Sequence, residues 1–199
     1  ITITASTYFI IYGDTLYRYC SSLLSLFERK KLRERDLPGT EKKPLILIGC
    51  HRTGQSIAFN LPKKDLLILD FDPEVIEELR RHGFDYIFGD IADPDIAARV
   101  PFAEAKLVIS TSPDQNDGLA ILALLSRLPK DARPRVILRA DDEREAGLLY
   151  RKGADYVLLP HFTAGQYLGK TIAIDREMHI LEQLREKDKE LLRKVSSRV

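Results

Sequence analysis

Short apolar runs recur at near-regular intervals through the middle of this chain, each followed by a stretch of mixed residues with helical spacing. The runs cover residues 45–48, 66–69, 86–88, 107–110, 136–138 and 156–159. Helices are predicted over 52–60, 73–82, 94–100, 115–128 and 142–152. Within most runs the apolar residues are consecutive rather than alternating, the signature of strands covered on both faces. Strands that alternate with helices imply parallel strands joined by crossover helices. Pro73 and Pro94 fall in the first turn of two predicted helices, where a missing N–H costs nothing. The predicted class is α/β, a Rossmann-type doubly wound parallel sheet with an N-terminal linker helix and a C-terminal amphipathic helix.

The flanks are patterned differently. Residues 1–13 carry no charge and no initiator Met, which reads as a piece of a longer chain. Residues 28–43 then hold seven Lys/Arg against four Asp/Glu. An apolar segment followed by a basic one is how a transmembrane helix ends on its cytoplasmic side; an amphipathic helix packed on its own domain fits the same stretch. After Pro160 the spacing changes again: Ile174, Met178, Leu181, Leu184, Leu191 and Val195 predict one long amphipathic helix, with a dimer contact as the expected use of its stripe. The expected division is therefore 1–43 as helix end and basic linker, 44–172 as the Rossmann-type domain, and 173–199 as the C-terminal helix.

Composition narrows the functional classes. The 199 residues are 44% hydrophobic and 31% charged, enough for a real core, and the net charge is +1. A dedicated nucleic-acid binder normally shows a basic excess, so nucleic acid is not an expected partner. Two cysteines, Cys20 and Cys50, make neither a disulfide framework nor a metal cluster, and no metal site is expected.

The candidate chemistry lies at the carboxyl ends of the predicted strands, where open parallel sheets bind ligands. The first strand runs into Gly49-Cys50-His51-Arg52-Thr53-Gly54, which keeps the outer glycines of G-x-G-x-x-G and places His51 at the middle one. Gly49 permits a tight turn, and Gly54 permits close packing of helix on strand. Backbone N–H groups at the helix start attract a phosphate. Asp70 closes the second strand 21 residues beyond Gly49, a spacing suited to a carboxylate that accepts hydrogen bonds from ribose hydroxyls. The side chain of His51 crowds the approach of a pyrophosphate, while His51 and Arg52 can donate to a phosphate. No Arg follows Asp70 to accept a 2′-phosphate, which disfavours NADP. Asp90, Thr111 and Arg139 end later strands and are further candidates.

No Tyr-x-x-x-Lys pair, no Gly-x-Ser-x-Gly elbow and no lysine after the glycine turn is present. A nucleotide site without catalytic residues reads as a sensor, not an enzyme; the alternative is a small NAD-dependent oxidoreductase.

The stretch 45–172 resembles the regulator-of-K+-conductance domains, also called KTN or TrkA-N domains. The motifs that carry the resemblance are Leu-Ile-Gly-Cys-His-Arg-Thr-Gly at 47–54, Leu-Asp-Phe-Asp-Pro-Glu at 69–74 and Phe-Gly-Asp-Ile-Ala-Asp at 88–93. Ser-Thr-Ser-Pro-Asp-Gln-Asn at 110–116 and Gly-Ala-Asp-Tyr-Val-Leu-Leu-Pro at 153–160 extend it. The His-Arg form of the turn is most similar to members fused to the C-terminus of cation:proton antiporters. The resemblance implies a regulatory module on the cytoplasmic face of the membrane, covalently attached to a transmembrane transporter domain for K+ or Na+/H+. It also implies a homodimer that binds AMP or NAD(H), with ADP or ATP as alternatives. Carried over, the phosphate turn is Gly49, Cys50, His51, Arg52, Thr53 and Gly54, and the ribose carboxylate is Asp70. Phe71, Asp90 and Ile91 lie by the adenine, and Thr111 points to the far phosphate or ribose.

Overall fold

A computed structural model describes residues 42–196, with side chains up to residue 190. Six strands form one parallel sheet: β1 (Leu45–Ile48), β2 (Leu66–Asp70), β3 (Asp85–Phe88), β4 (Leu107–Ser110), β5 (Arg135–Arg139) and β6 (Tyr156–Leu158). Their spatial order is β3-β2-β1-β4-β5-β6, so the order reverses between β1 and β4. Ile48 lies beside Leu69 on one side and Ser110 on the other, so these three strands end at one level.

The helices α1 (Arg52–Ala58), α2 (Pro73–His82), α3 (Pro94–Ala97), α4 (Gln115–Ser126) and α5 (Glu143–Arg151) connect the strands. Aspartates start four of them: Asp72, Asp93, Asp114 and Asp142 each accept a backbone N–H from the first turn. These acceptors satisfy donors that have no partner within the helix, and their charge opposes the positive helix end. Because all four caps follow strand ends, the carboxyl side of the sheet is rich in carboxylates.

Two apolar clusters cover the two faces of the sheet. Ile46, Ile48, Leu67 and Leu69 point into one; Leu47, Leu66 and Ile68 point into the other. All seven are buried, which accounts for the unbroken apolar runs. Each such side chain contributes about 1.5–3 kcal/mol by leaving water.

The chain then leaves the sheet as α6 (Pro160–Ile174) and α7 (His179–Ser196). A single helix across 174–195 is not what forms. Asp175 Oδ2 accepts the Ile180 N–H at 2.6 Å, and Met178 adopts a φ of 63°, so the chain is broken and restarted between Ile174 and His179. Helix α6 is covered little by the rest of the described residues: Phe162, Tyr167, Leu168, Ile172 and Ile174 are all exposed. The expected helix end and linker at 1–43 falls outside the described residues except for Lys42 and Lys43. Among the described residues no helix is long and apolar enough to cross a membrane.

Candidate functional site

The reversal of strand order between β1 and β4 leaves a crevice at the carboxyl ends of the strands, because the crossovers on either side run to opposite faces. It forms a cleft of about 660 Å³, within the range of small-molecule sites.

The glycine turn is its centre. Gly49 has a φ of 81°, a conformation that side chains disfavour, and its N–H is held by the Leu69 carbonyl at 2.9 Å. A Cβ on Gly54 would lie 2.2 Å from the Gly49 carbonyl oxygen, so α1 can start against the turn only with glycine there. The opening N–H groups of α1 have no carbonyl one turn earlier to bond.

Asp70 is 4% exposed and binds the turn directly. Its Oδ2 accepts the Cys50 N–H at 2.6 Å and its Oδ1 accepts the Asp72 N–H at 2.8 Å. One carboxylate thus joins the end of β2, the turn after β1 and the start of α2. Each oxygen retains a lone pair, so a ribose can be accepted without releasing the backbone.

Nine of the eleven residues expected at the site line the cleft: Gly49, His51, Arg52, Thr53, Asp70, Phe71, Asp90, Ile91 and Thr111. Cys50 and Gly54 do not. The Cys50 side chain is buried on the other side of the turn, among Ala58, Phe59, Leu79 and Phe84, so Cys50 serves the site through its N–H. Gly54 packs on the turn from within α1.

Some of the other expected residues are held by hydrogen bonds within the protein, and others are open to the cleft. The Thr111 hydroxyl donates to the Gly49 carbonyl at 2.9 Å, which fastens the end of β4 to the turn. Asp90 Oδ1 accepts the Ala92 N–H at 2.9 Å in a tight turn, while Ile91 is buried in the core. Phe71 is 65% exposed at the cleft wall, an aromatic face open to a base. His51 Nε2 lies 3.4 Å from Asp72 Oδ2, an ion pair whenever the ring is protonated. Arg52 is exposed, with no ion pair among the described residues.

Sequence reasoning passed over part of the opposite wall. Ser112, Pro113, Asp117, Pro160 and His161 also line the cleft. The Ser112 hydroxyl donates to Asp117 Oδ2 at 2.5 Å. Arg139, expected at the end of β5, is on the same wall; it pairs with Asp141 at 2.7 Å, and its buried Nε–H has no acceptor among the described residues. Both pairs are close in sequence, five and two residues apart, but no spacing rule marks such side-chain contacts. No group of three His, Cys, Asp or Glu side chains among the described residues could hold a metal ion.

Comparison with known proteins bears on this geometry. The TrkA-N domain model matches residues 45–160, from β1 to the start of α6. This chain belongs to the TrkA-N domain family. Among curated relatives, the glutathione-regulated potassium-efflux system protein KefC of Cronobacter sakazakii is 29% identical over 117 residues, 57% of this chain and 18% of that protein. The putative K(+) efflux antiporter KefB of Alkalimonas amylolytica is 29% identical over 126 residues, 62% of this chain and 19% of that one. The chain therefore spans under a fifth of the length of these relatives.

Among solved structures, the TrkA-N domain of inner membrane protein ybaL from Escherichia coli has a TM-score of 0.57 at 21% identity, covering 65% of this chain and 96% of that one. The Kef C-terminal domain of Shewanella denitrificans, solved in its AMP-bound form, has a TM-score of 0.53 at 21% identity, covering 76% and 91%. The GsuK channel bound to NAD has a TM-score of 0.52 at 16% identity, covering 80% and 29%. At these identities the likeness establishes the TrkA-N fold, a six-stranded parallel sheet with helices on both sides.

Proposed function

We propose that this chain is the nucleotide-sensing regulatory domain of a monovalent-cation transporter, K+ or Na+/H+, on the cytoplasmic face of the membrane. The observation that carries this reading is the cleft at the strand-order switch, where the turn of Gly49 to Gly54 and the carboxylate of Asp70 are bonded into one unit. Its ligand is an adenine nucleotide, AMP or NAD(H), with ADP and ATP as alternatives; AMP and NAD are bound in the related Kef and GsuK structures. The residues that contact it are Gly49, His51, Arg52 and Thr53 of the turn, shaped by Cys50 and Gly54, with Asp70 at the ribose, Phe71, Asp90 and Ile91 at the adenine, and Thr111 toward the far phosphate or ribose.

The role is regulatory rather than catalytic. A nucleotide contributes to gating only through unequal affinity for two arrangements of the protein. The exposed apolar side chains of α6 support a homodimer, because a second copy would remove them from water. In the intact protein, residues 1–43 would join the domain to the transmembrane part, and residues 173–199 would extend the dimer contact.

Calorimetric titration of the chain with NAD+, NADH, AMP, ADP, ATP and glutathione, one at a time, tests the reading. Saturable binding of one or two nucleotides without turnover is the expected result. Binding of nicotinamide forms alone, with hydride transfer, would replace it with an oxidoreductase. Silence from all five nucleotides would overturn the sensor.

A further inference from the structure

The two ends of the sheet differ in charge. At the carboxyl ends stand the capping aspartates; at the amino ends of β5 and β6 lies a recess of about 250 Å³ rimmed by Lys130, Arg133, Arg135 and Lys152, with one acid, Asp155. Buried Leu122 and Val136 form part of its floor.

Local structure accounts for some of these charges but not all. Arg133 caps α4, donating to the carbonyls of Ser126 at 2.7 Å and Leu128 at 3.1 Å. Lys152 is the C-cap of α5, where a cation complements the helix dipole. Lys130 and Arg135 have no such use. Lys130, Arg135 and Lys152 are all exposed and form no ion pair among the described residues. Asp155, whose Oδ2 is held by the Val136 N–H at 2.7 Å, offsets one of these charges and leaves the rim net positive. Exposed Lys106 stands next to Arg135, whose N–H bonds the Lys106 carbonyl at 3.0 Å.

The chain also enters the domain at this end. Lys42 and Lys43 directly precede β1 but add no free charge, since Lys42 pairs with Glu104 at 2.9 Å and buried Lys43 with Asp85 at 2.7 Å; in sequence the preceding residues 28–41 hold five more Lys/Arg.

We propose that the amino end of the sheet, centred on Lys130, Arg135 and Lys152, docks on an anionic phospholipid surface, with the recess taking a headgroup phosphate. Uncompensated cations around a shallow recess attract clustered anions, and the attraction is long-ranged enough to orient the domain. The choice of lipid over another polyanion rests on the membrane-attached reading above. The nucleotide cleft opens at the opposite end of the strands and stays accessible when this end is docked.

The test is co-sedimentation of the full 199-residue chain with vesicles of phosphatidylcholine alone and of phosphatidylcholine mixed with phosphatidylglycerol. Binding only to the mixed vesicles, weakened by salt, is expected. The triple variant K130E/R135E/K152E should weaken that binding about 100-fold, at about fivefold per Lys/Arg near the surface. An unchanged melting temperature shows that the variant is folded. The variant R29E/K30E/K31E separates the recess from the preceding basic segment. If it abolishes binding while the recess variant binds like the parent, the proposal is wrong. Capture by an immobilised acidic peptide without vesicle binding would overturn it as well, in favour of a protein partner. The assay needs no nucleotide, so its outcome is independent of the titration above.

Discussion

In the β1–β3 half of the cleft, the groups that face a ligand are joined through the backbone. Asp70 holds the N–H groups of Cys50 and Asp72, and Gly49 is fixed by the carbonyl of Leu69. In the β4–β6 half, beyond Thr111 and its bond to the Gly49 carbonyl, the wall is closed by side-chain pairs: Ser112 with Asp117 and Arg139 with Asp141. A backbone frame is set by the fold and stays in place when a side chain changes. A wall of paired side chains is set by residue identity and can be rebuilt without disturbing the sheet. Under the proposed reading, the first half would hold what nucleotides share and the second would tell them apart.

If the first half is a rigid frame, substitutions within it should cost stability as well as affinity. Gly54→Ala is the most severe, because its Cβ would fall 2.2 Å from the Gly49 carbonyl and 3.1 Å from Thr111 Oγ1. Neither α1 nor the turn can yield alone. A loss of about 3 kcal/mol is expected, seen as a melting temperature lowered by roughly 6–12 °C. Melting within 2 °C of the parent, roughly the equivalent of 1 kcal/mol or less, would show that the frame is soft.

Asp70→Asn comes next. The amide can accept from one backbone N–H but turns its own donor toward the other. The expected cost is about 2 kcal/mol of stability, together with weaker binding of every ribose-containing ligand. Thermal melting and calorimetry on the same variant separate the two. Weaker binding with unchanged melting would mean that Asp70 serves the ligand and not the frame.

The same contrast explains what could be read in advance. The strands were legible because apolar residues on both faces leave an unbroken run, as in Leu66–Asp70. The glycine turn and Asp70 were legible because one local geometry imposes a fixed spacing. The Ser112–Asp117 bond spans only five residues but follows no apolar or glycine spacing, and His161 reaches the cleft only through the tertiary placement of the chain after β6. Helix α6 escaped for a related reason: its apolar residues lie on several sides and face little of the described domain, so no stripe marks it. The break after Ile174 depends on one carboxylate, Asp175, reaching forward to the Ile180 N–H, a contact that apolar spacing does not report.

His51 stands where the two halves meet. A Cβ at the middle position of the turn limits how closely a pyrophosphate can approach, while a terminal phosphate can sit beside it. His51→Gly should raise affinity for NAD relative to AMP about tenfold, equivalent to about 1.4 kcal/mol. A ratio of affinities is the right measurement because it cancels any general loosening of the turn. A ratio that stays at the parent value would mean the ring already swings clear, breaking its 3.4 Å approach to Asp72 without penalty.

Arg139→Ala gives the smallest expected effect on a mononucleotide and the sharpest separation of the two halves. Arg139 is on the far wall, and its buried Nε–H has no acceptor within the described residues. A mononucleotide confined to the β1–β3 half would not touch it, so AMP affinity should change by less than about twofold, within the usual ±0.5 kcal/mol of a remote substitution. A dinucleotide that crosses the cleft would meet it, and a charged hydrogen bond removed there costs about tenfold. Equal losses for AMP and NAD would mean that even the small ligand spans both walls, or that Arg139 holds the shape of the whole cleft through Asp141. Reversal of the pair with R139D/D141R distinguishes those two cases, because it restores the link between the two side chains without restoring a cation at the original place.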